Sequence, residues 1–409
     1  MDYVATRWQK GRQSAQSYPR VFYVILAIRL ISATGGGLYW PFLLVYLREK
    51  LVIATTTASA LLTLHMLAGM LSLSISGVLM DRFGRKRVML FALGGLSLVL
   101  AAMAFARTLP VWVLLMPLAG MLSPIFQVGA ETVVADLVEP ERRSRAYALT
   151  RIAINIGWMT GPAIGSILVS ISYVPIFLSC AAAMAICAIL GAFAVVETLP
   201  KPDADDPVPQ SPRRQYGYGA VLRDHRFMLF GAIFVLFPIA QIMLSTLGGN
   251  YMKNEFDLAE SYFGIMMSVN GAIVVIFEFP ITSFVRRFPT GRVLSVGLFV
   301  YAIALLIMGN ASVFAAFLLM IVVATFGEII ISPNSLTYAS NLAPEAMRGR
   351  YMGLFGLIRQ GGNAIGPLLG GVLSDQIDPA AIWYGGALLC LAAAIGFALL
   401  PTRKKRQAA

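Results

Sequence analysis

Long apolar segments separated by short polar breaks run along the whole chain. Each segment holds about 20 or more residues, which is enough for a helix to cross roughly 30 Å of hydrocarbon. Such continuous apolar runs differ from the short alternating segments of a membrane β-barrel. The pattern predicts an all-α integral membrane protein with twelve transmembrane helices, over residues 20–47, 54–80, 85–106, 110–137, 146–170, 174–196, 226–252, 258–285, 293–309, 312–340, 350–374 and 380–400.

Composition and charge placement agree with this prediction. The 409 residues are 58% hydrophobic and only 13% charged, and the mean hydropathy is +0.76. The net charge of +12 would also suit a nucleic-acid partner, but the basic residues concentrate in alternate loops. If the amino terminus is cytoplasmic, the outward loops hold only Arg48, Lys50, Arg107 and Lys253. The positive-inside rule therefore predicts a plasma-membrane protein with both termini in the cytoplasm.

Several classes of protein are excluded by what the chain lacks. Its three cysteines and two histidines have no metal-ligand spacing, and the cysteines fall within apolar segments. No helix carries a nucleophile–base constellation, and no glycine-rich phosphate loop is present. No cleavable signal peptide is expected, because the first apolar segment is too long. We expect no enzyme activity, no cofactor, no metal, no nucleic-acid partner and no need for an oligomer.

A polar segment divides the chain into two equal parts. Residues 197–223 contain five prolines and three aspartates in a stretch that cannot bury a core. We interpret it as a cytoplasmic linker between two six-helix bundles, over residues 1–196 and 224–409. Faint internal similarity supports this division, since Gly36, Gly37 and Tyr39 correspond to Gly248, Gly249 and Tyr251. Repeat-built transporters use such paired glycines, although glycine also packs membrane helices generally.

The most specific segment joins the second and third apolar segments, with the sequence Gly77-Val-Leu-Met-Asp81-Arg82-Phe-Gly84-Arg85-Lys86-Arg87. Gly84 permits a tight turn, and Gly77 permits close approach of a neighbouring helix. The basic residues anchor the cytoplasmic edge. Asp81 needs a positive partner, which Arg348, Arg350 and the start of the eleventh helix would provide.

This loop resembles the major facilitator superfamily, whose pattern at the same place is G-x-x-x-D-R-x-G-R-K/R-x. The resemblance extends over the chain and includes the segment from Asp136 to Arg143 after the fourth helix. It implies two pseudo-symmetric six-helix bundles and a charge latch between them. The latch residues carried over are Gly77, Asp81, Arg82, Gly84, Arg85, Lys86, Asp136 and Arg350.

The fifth helix carries a second family motif. Its segment Gly157-Trp-Met-Thr-Gly161-Pro162-Ala-Ile-Gly165 resembles the G-x-x-x-G-P-x-x-G pattern of drug:proton antiporters in the superfamily. Glycines at this spacing make one smooth helix face, and the proline removes a backbone hydrogen bond. Two departures from the antiporter pattern are Ser166 and Met116, which stand where relatives often have glycine and arginine.

Charged residues within the apolar segments are candidate functional groups, because a charge at a helix centre costs roughly 2.5–3.5 kcal/mol on insertion scales. Glu328 lies near the middle of the tenth helix and resembles carboxylates of proton-coupled exporters, so we choose it first as the proton-coupling residue. A packing role satisfied by a neighbour is its alternative. Arg29 and Glu131 could pair with each other or hold opposite ends of a ligand.

Aromatic and neighbouring polar residues complete the candidate set. Tyr39 and Tyr251, with Trp40 and Trp158, could face a hydrophobic ligand, although aromatics also pack helices. Arg151 with Asn155, and Arg359 with Asn363, are each one helical turn apart and are expected to brace the interface between the halves. His65 is expected to be a hydrogen-bonded packing residue, and Glu278 lies towards the inner end of the eighth helix.

These observations predict a secondary transporter that works by alternating access. The preferred function is export of amphipathic drugs or other small molecules in exchange for protons, driven by the proton gradient. One alternative is a transporter or flippase of a lipid or an anionic metabolite held by Arg29. A proton-driven importer is the other. The expected partners are a small-molecule substrate, protons and the lipid bilayer.

Overall fold

A computed structural model describes residues 18–198, 218–344 and 347–400, and all regular structure in these residues is helical. In the first half the helices are α1 (Arg20–Leu51), α2 (Thr55–Phe83), α3 (Arg85–Phe105), α4 (Leu109–Leu137), α5 (Pro140–Val169) and α6 (Tyr173–Ala194). In the second half they are α7 (His225–Phe256), α8 (Glu260–Val285), α9 (Thr290–Asn310), α10 (Phe314–Leu342), α11 (Arg348–Gln376) and α12 (Ala381–Leu399). A short helix, Tyr218–Leu222, precedes α7, and most of the predicted linker lies outside the described residues.

The predicted all-α membrane fold is confirmed. Within the described ranges, eleven helices are long and apolar enough to cross a membrane. The remaining long helix, α11, has 29 residues, or about 43 Å at 1.5 Å per residue. It is less apolar because it contains Arg359 in its middle and Asp375 near its end. Every predicted segment therefore corresponds to a helix, and α11 is long enough to cross a membrane.

Three helices extend well beyond their predicted bounds. The first runs to Leu51 after a short 3-10 turn at Trp40–Phe42, where Pro41 interrupts the α-helical hydrogen bonds. The fifth begins six residues early at Pro140, whose fixed backbone suits the first turn of a helix. The seventh continues to Phe256. These extensions are polar, so hydrophobicity alone did not predict them.

The two halves repeat one packing scheme. In the first half α1 packs on α5 and α6, α2 packs on α4, and α3 packs on α4 and α6. The second half has the same contacts, with α7 on α11 and α12, α8 on α10, and α9 on α10 and α12. The halves meet through α2 against α11 and α5 against α8. The faint sequence repeat thus corresponds to a structural repeat.

The bundle has two ends, which we name by the chain termini. The termini face is the end at which α1 begins and α12 ends, and the far face is the opposite end. The polar extension of α1 and the last turns of α7 both lie at the far face. The loop between α2 and α3 lies at the termini face.

Candidate functional site

A cavity of about 130 Å³ lies inside the first half, and α1, α3, α4, α5 and α6 line it. Its polar lining comes from Arg29, Ser32, Ser123 and Gln127. Tyr39 and Trp158 form part of its aromatic wall. A cavity that combines apolar walls with a few polar groups is suited to a small molecule.

Arg29 of α1 and Glu131 of α4 form an ion pair beside this cavity. Arg29 Nη2 lies 3.6 Å from Glu131 Oε1. Their exposures differ sharply, because the side chain of Arg29 is 6% exposed and that of Glu131 is 56% exposed. The guanidinium also lies 5.8 Å from the centre of the Phe126 ring. The pairing is one of the two arrangements that the sequence left open.

The aromatic candidates do not form one group. Tyr39 and Trp158 line the cavity, whereas Trp40 packs on the His65 ring at 5.3 Å. His65 Nδ1 is 3.0 Å from the Met116 carbonyl oxygen, which joins α2 to α4. Tyr251 is buried in the second half and packs on Trp383 and Phe256. Equivalent positions in the repeat therefore have different surroundings.

Glu328 lies at the middle of α10 in the second half, apart from the cavity. Asn270 Nδ2 of α8 donates hydrogen bonds to Glu328 Oε2 at 3.3 Å and to Thr325 Oγ1 at 2.8 Å. Gln241 of α7 and the charge of Arg359 are also within interaction range of the carboxyl group. Glu328 thus has neutral donors on neighbouring helices and a cation farther away.

Arg151 of α5 forms an ion pair with Glu278 of α8, which links the two halves. This contact is of the kind that the predicted bracing role of Arg151 requires.

The loop between α2 and α3 is held by residues of its own half. Gly84 has φ +93°, a backbone conformation that glycine adopts without strain. Arg85 pairs with Asp136 at the end of α4, and Lys86 Nζ donates to the Ala192 carbonyl oxygen at 2.7 Å. Asp136 was among the residues implied by the family resemblance.

Two residues that the sequence did not single out complete this arrangement. Glu197 accepts hydrogen bonds from the backbone N–H groups of Arg85 (2.8 Å) and Lys86 (3.2 Å), so it caps the start of α3. Thr198 Oγ1 donates to Asp136 Oδ2 at 2.7 Å. Both residues lie shortly after the end of α6. Their polarity after an apolar run is the sequence signal that could have identified them. The start of the predicted linker is thereby attached to the loop.

The cross-half latch at this loop stays a prediction. Asp81 and Arg82 are exposed, and a Cβ atom added at Gly77 would meet nothing within 4 Å. Arg82 lies over the neighbouring Phe83 ring at 5.3 Å. The side chain of Arg348 lies outside the described part of α11.

A network of polar contacts joins the halves at the far face. Lys253 of α7 pairs with both Glu49 of α1 and Glu260 of α8. Three further contacts across the halves are Arg48 Nη1 to Asn250 Oδ1 at 2.8 Å, Tyr173 Oη to Glu260 Oε1 at 2.9 Å, and Thr56 Oγ1 to Asp375 Oδ2 at 2.8 Å. We call these eight residues the far-face network. The sequence did not predict it, because Arg48 and Lys253 were assigned to loops.

The glycines of the α5 motif lie against the backbone of α1. A Cβ atom at Gly161 would lie 2.6 Å from the Thr34 carbonyl oxygen and 2.8 Å from Gly37 Cα. One at Gly157 would lie 2.6 Å from Ala33 Cβ, and one at Gly165 would lie 2.4 Å from the Leu38 carbonyl oxygen. Pro162 is buried at the same contact. The motif therefore makes α1 and α5 a closely packed pair.

Comparison with known proteins places these features in a family. The sequence model described as Major Facilitator Superfamily matches residues 25–251 and 232–409. The chain is 25% identical over 393 residues to a Na(+), Li(+), K(+)/H(+) antiporter of Planococcus maritimus, covering 88% of this chain and 90% of that protein. It is 24% identical over 382 residues to Multidrug resistance protein 1 of Bacillus subtilis, covering 92% and 94%.

Solved structures share the fold. A POT family transporter in complex with 5-aminolevulinic acid superposes with a TM-score of 0.79 over 92% of this chain and 95% of that chain. The sequence identity is 15%, so this likeness concerns the arrangement of helices alone.

Proposed function

We propose that this chain, which belongs to the Major Facilitator Superfamily and is a multi-pass membrane transporter, exports amphipathic small molecules in exchange for protons. The observation that carries the proposal is the setting of Glu328, a carboxyl group at the middle of a membrane-spanning helix. A carboxylate in that position is costly unless it is neutralised or paired. Binding and release of a proton is therefore the chemistry that Glu328 can supply.

The names of two relatives also favour proton-coupled export. One is named a cation/proton antiporter and another a multidrug resistance protein, and each aligns with most of this chain. The chain shares with antiporters the glycine motif on α5. We propose that protons provide the energy with no bound cofactor, and that a single chain is sufficient. The basic loops favour a plasma-membrane location with both termini in the cytoplasm.

Alternating access is the proposed mechanism. The two halves are built alike and meet mainly along two helix pairs, α2 with α11 and α5 with α8, with smaller contacts from α1 to α7 and α8. Rocking along these pairs would open one face while closing the other. The far-face network holds the halves together at one end, so breaking it is a required step in exposing the interior to that face.

Replacing Lys253 by methionine is expected to favour opening of the far face, because it removes the cation that joins Glu49 to Glu260. Losing about 1 kcal/mol of cross-half attraction shifts the population roughly fivefold. The measurement is the maleimide labelling rate of a Ser59→Cys reporter in detergent. Ser59 is buried, and it lies on α2 against Gly371 of α11.

The matched control is Lys50→Met, which removes an exposed lysine in the last turn of α1 that is not part of the far-face network. We expect its labelling rate to equal that of the parent reporter. Equal rates in Lys253→Met and Lys50→Met would contradict a locking role for the network.

Proteoliposomes with an imposed proton gradient test the proposed function. We expect an amphipathic dye to move against its own gradient when protons flow the other way, and a protonophore to stop the movement. A panel of dyes, lipids and sugars defines the cargo class. Movement of cargo in the same direction as the protons would indicate an importer, and movement independent of the gradient would refute proton coupling.

A further inference from the structure

Some hydrogen-bond donors of Arg29 have no acceptor among the described residues. Its Nε atom is buried without a hydrogen-bond partner. The separation of 3.6 Å from Glu131 exceeds the usual 2.7–3.2 Å of an N–H···O bond. No hydrogen bond from its terminal nitrogens is found among the described residues. Because a guanidinium stays charged, unfilled donors in an almost buried side chain leave a strong anion-binding group.

The ion pair is asymmetric. Arg29 is held within the bundle at 6% exposure, whereas Glu131 is 56% exposed. The exposed carboxylate can turn away from the pair, but the buried guanidinium cannot follow it. An incoming anion can thus replace Glu131 without leaving a desolvated charge behind.

The cavity lining complements such an anion. Among the described residues that line it, none is acidic, and Ser32, Ser123 and Gln127 offer neutral hydrogen-bonding groups. Leu96 and Trp158 belong to its apolar walls. Its volume of about 130 Å³ is close to the ~150 Å³ of a protein cavity that holds benzene. The space is on the scale of one small ring, with Arg29 at its wall.

We infer that the cavity is a subsite for the carboxylate of an aromatic or similarly flat small molecule, which binds Arg29 by displacing Glu131. The site belongs to the first half alone, apart from Glu328. This inference rests on the proposed transport function, to which it adds a cargo class: molecules with a carboxylate as well as an apolar body. The two exposures of the ion pair and the unfilled Arg29 donors carry it.

Binding of matched probes to the purified full-length chain tests the subsite without any gradient. Equilibrium dialysis of radiolabelled benzoate is competed with unlabelled benzoate, benzyl alcohol or benzylamine. A charge-assisted hydrogen bond gives about a tenfold preference for benzoate over benzyl alcohol. Arg29→Gln is expected to remove this preference. Arg107→Gln, the same substitution at an exposed loop position, is expected to keep it.

Glu131→Gln provides the sharper outcome, because a ligand that displaces Glu131 should bind severalfold more tightly once that carboxylate is gone. This arm decides the question even if Arg29→Gln fails to fold. Equal affinity for benzoate and benzyl alcohol, tighter binding of benzylamine, or weaker benzoate binding in Glu131→Gln would overturn the inference. Loss of gradient-driven export with benzoate preference intact would refute only the proposed function. Gradient-driven export without benzoate preference would refute only the subsite.

Discussion

Glu328→Gln is expected to reduce proton-driven accumulation of cargo to the level of protein-free liposomes. Glutamine keeps the size of the side chain and can still form hydrogen bonds with Asn270, but it cannot release a proton. The substitution therefore imitates the permanently protonated carboxyl. The measurement is gradient-driven dye transport in proteoliposomes, compared with dye binding to the same purified protein.

Dye binding is expected to persist in this variant, because binding does not require release of the proton. The matched control is Glu255→Gln, which changes an exposed carboxylate near the end of α7 and should leave transport unchanged. If Glu328→Gln still accumulates dye in response to the gradient, proton exchange must occur at another group.

Gly161→Ala is expected to destabilise the protein by about 1–3 kcal/mol, the usual cost of inserting a methyl group into a closely packed contact. The added Cβ would lie 2.6 Å from the Thr34 carbonyl oxygen and 2.8 Å from Gly37 Cα, and neither backbone atom can move independently of α1. The helix α1 must shift, although alanine itself favours a helix over glycine. The free energy of unfolding can be measured by titration with SDS.

Gly77→Ala is the matched comparison, because it makes the same change in a helix where a Cβ atom would meet nothing within 4 Å. We expect it to be neutral or to stabilise the protein by up to about 1 kcal/mol, through helix propensity alone. Gly161→Ala should therefore lower the free energy of unfolding, whereas Gly77→Ala should not. Equal stability of both variants would mean that α1 and α5 are not in close contact at Gly161.

The two glycines also show how far a motif predicts structure. The family patterns that contain these glycines predicted close helix approach at both positions. The surroundings differ in this arrangement of the halves, because Gly161 lies between two helices of one half and Gly77 lies in open space. Whether a glycine face is covered depends on the neighbouring helix, which the motif does not contain.

The charged candidate residues likewise show what the sequence predicts and what only the packing decides. That Arg29, Glu131 and Glu328 are exceptional followed from their positions in apolar helices. The rotation of each helix against its neighbours decided which groups meet. It brings Arg29 to Glu131 beside a cavity, and it brings Glu328 to Asn270 in the other half. Glu197 and network residues such as Arg48 and Lys253 were missed because they lie just beyond the apolar runs, where hydrophobicity no longer identifies a helix.

The sequence by itself determined the apolar helical segments and the polar segment between the sixth and the seventh. The physical reason is local: in hydrocarbon each backbone N–H and C=O must bond within its own segment, so a long apolar run has to be helical. Only the tertiary structure decided which polar groups pair, because each pair joins residues from different helices. Lys253 and Glu49 form an ion pair although they are 204 positions apart in the chain. Their contact depends on the extensions of α1 and α7 and on how these helices pack, which neither segment specifies alone.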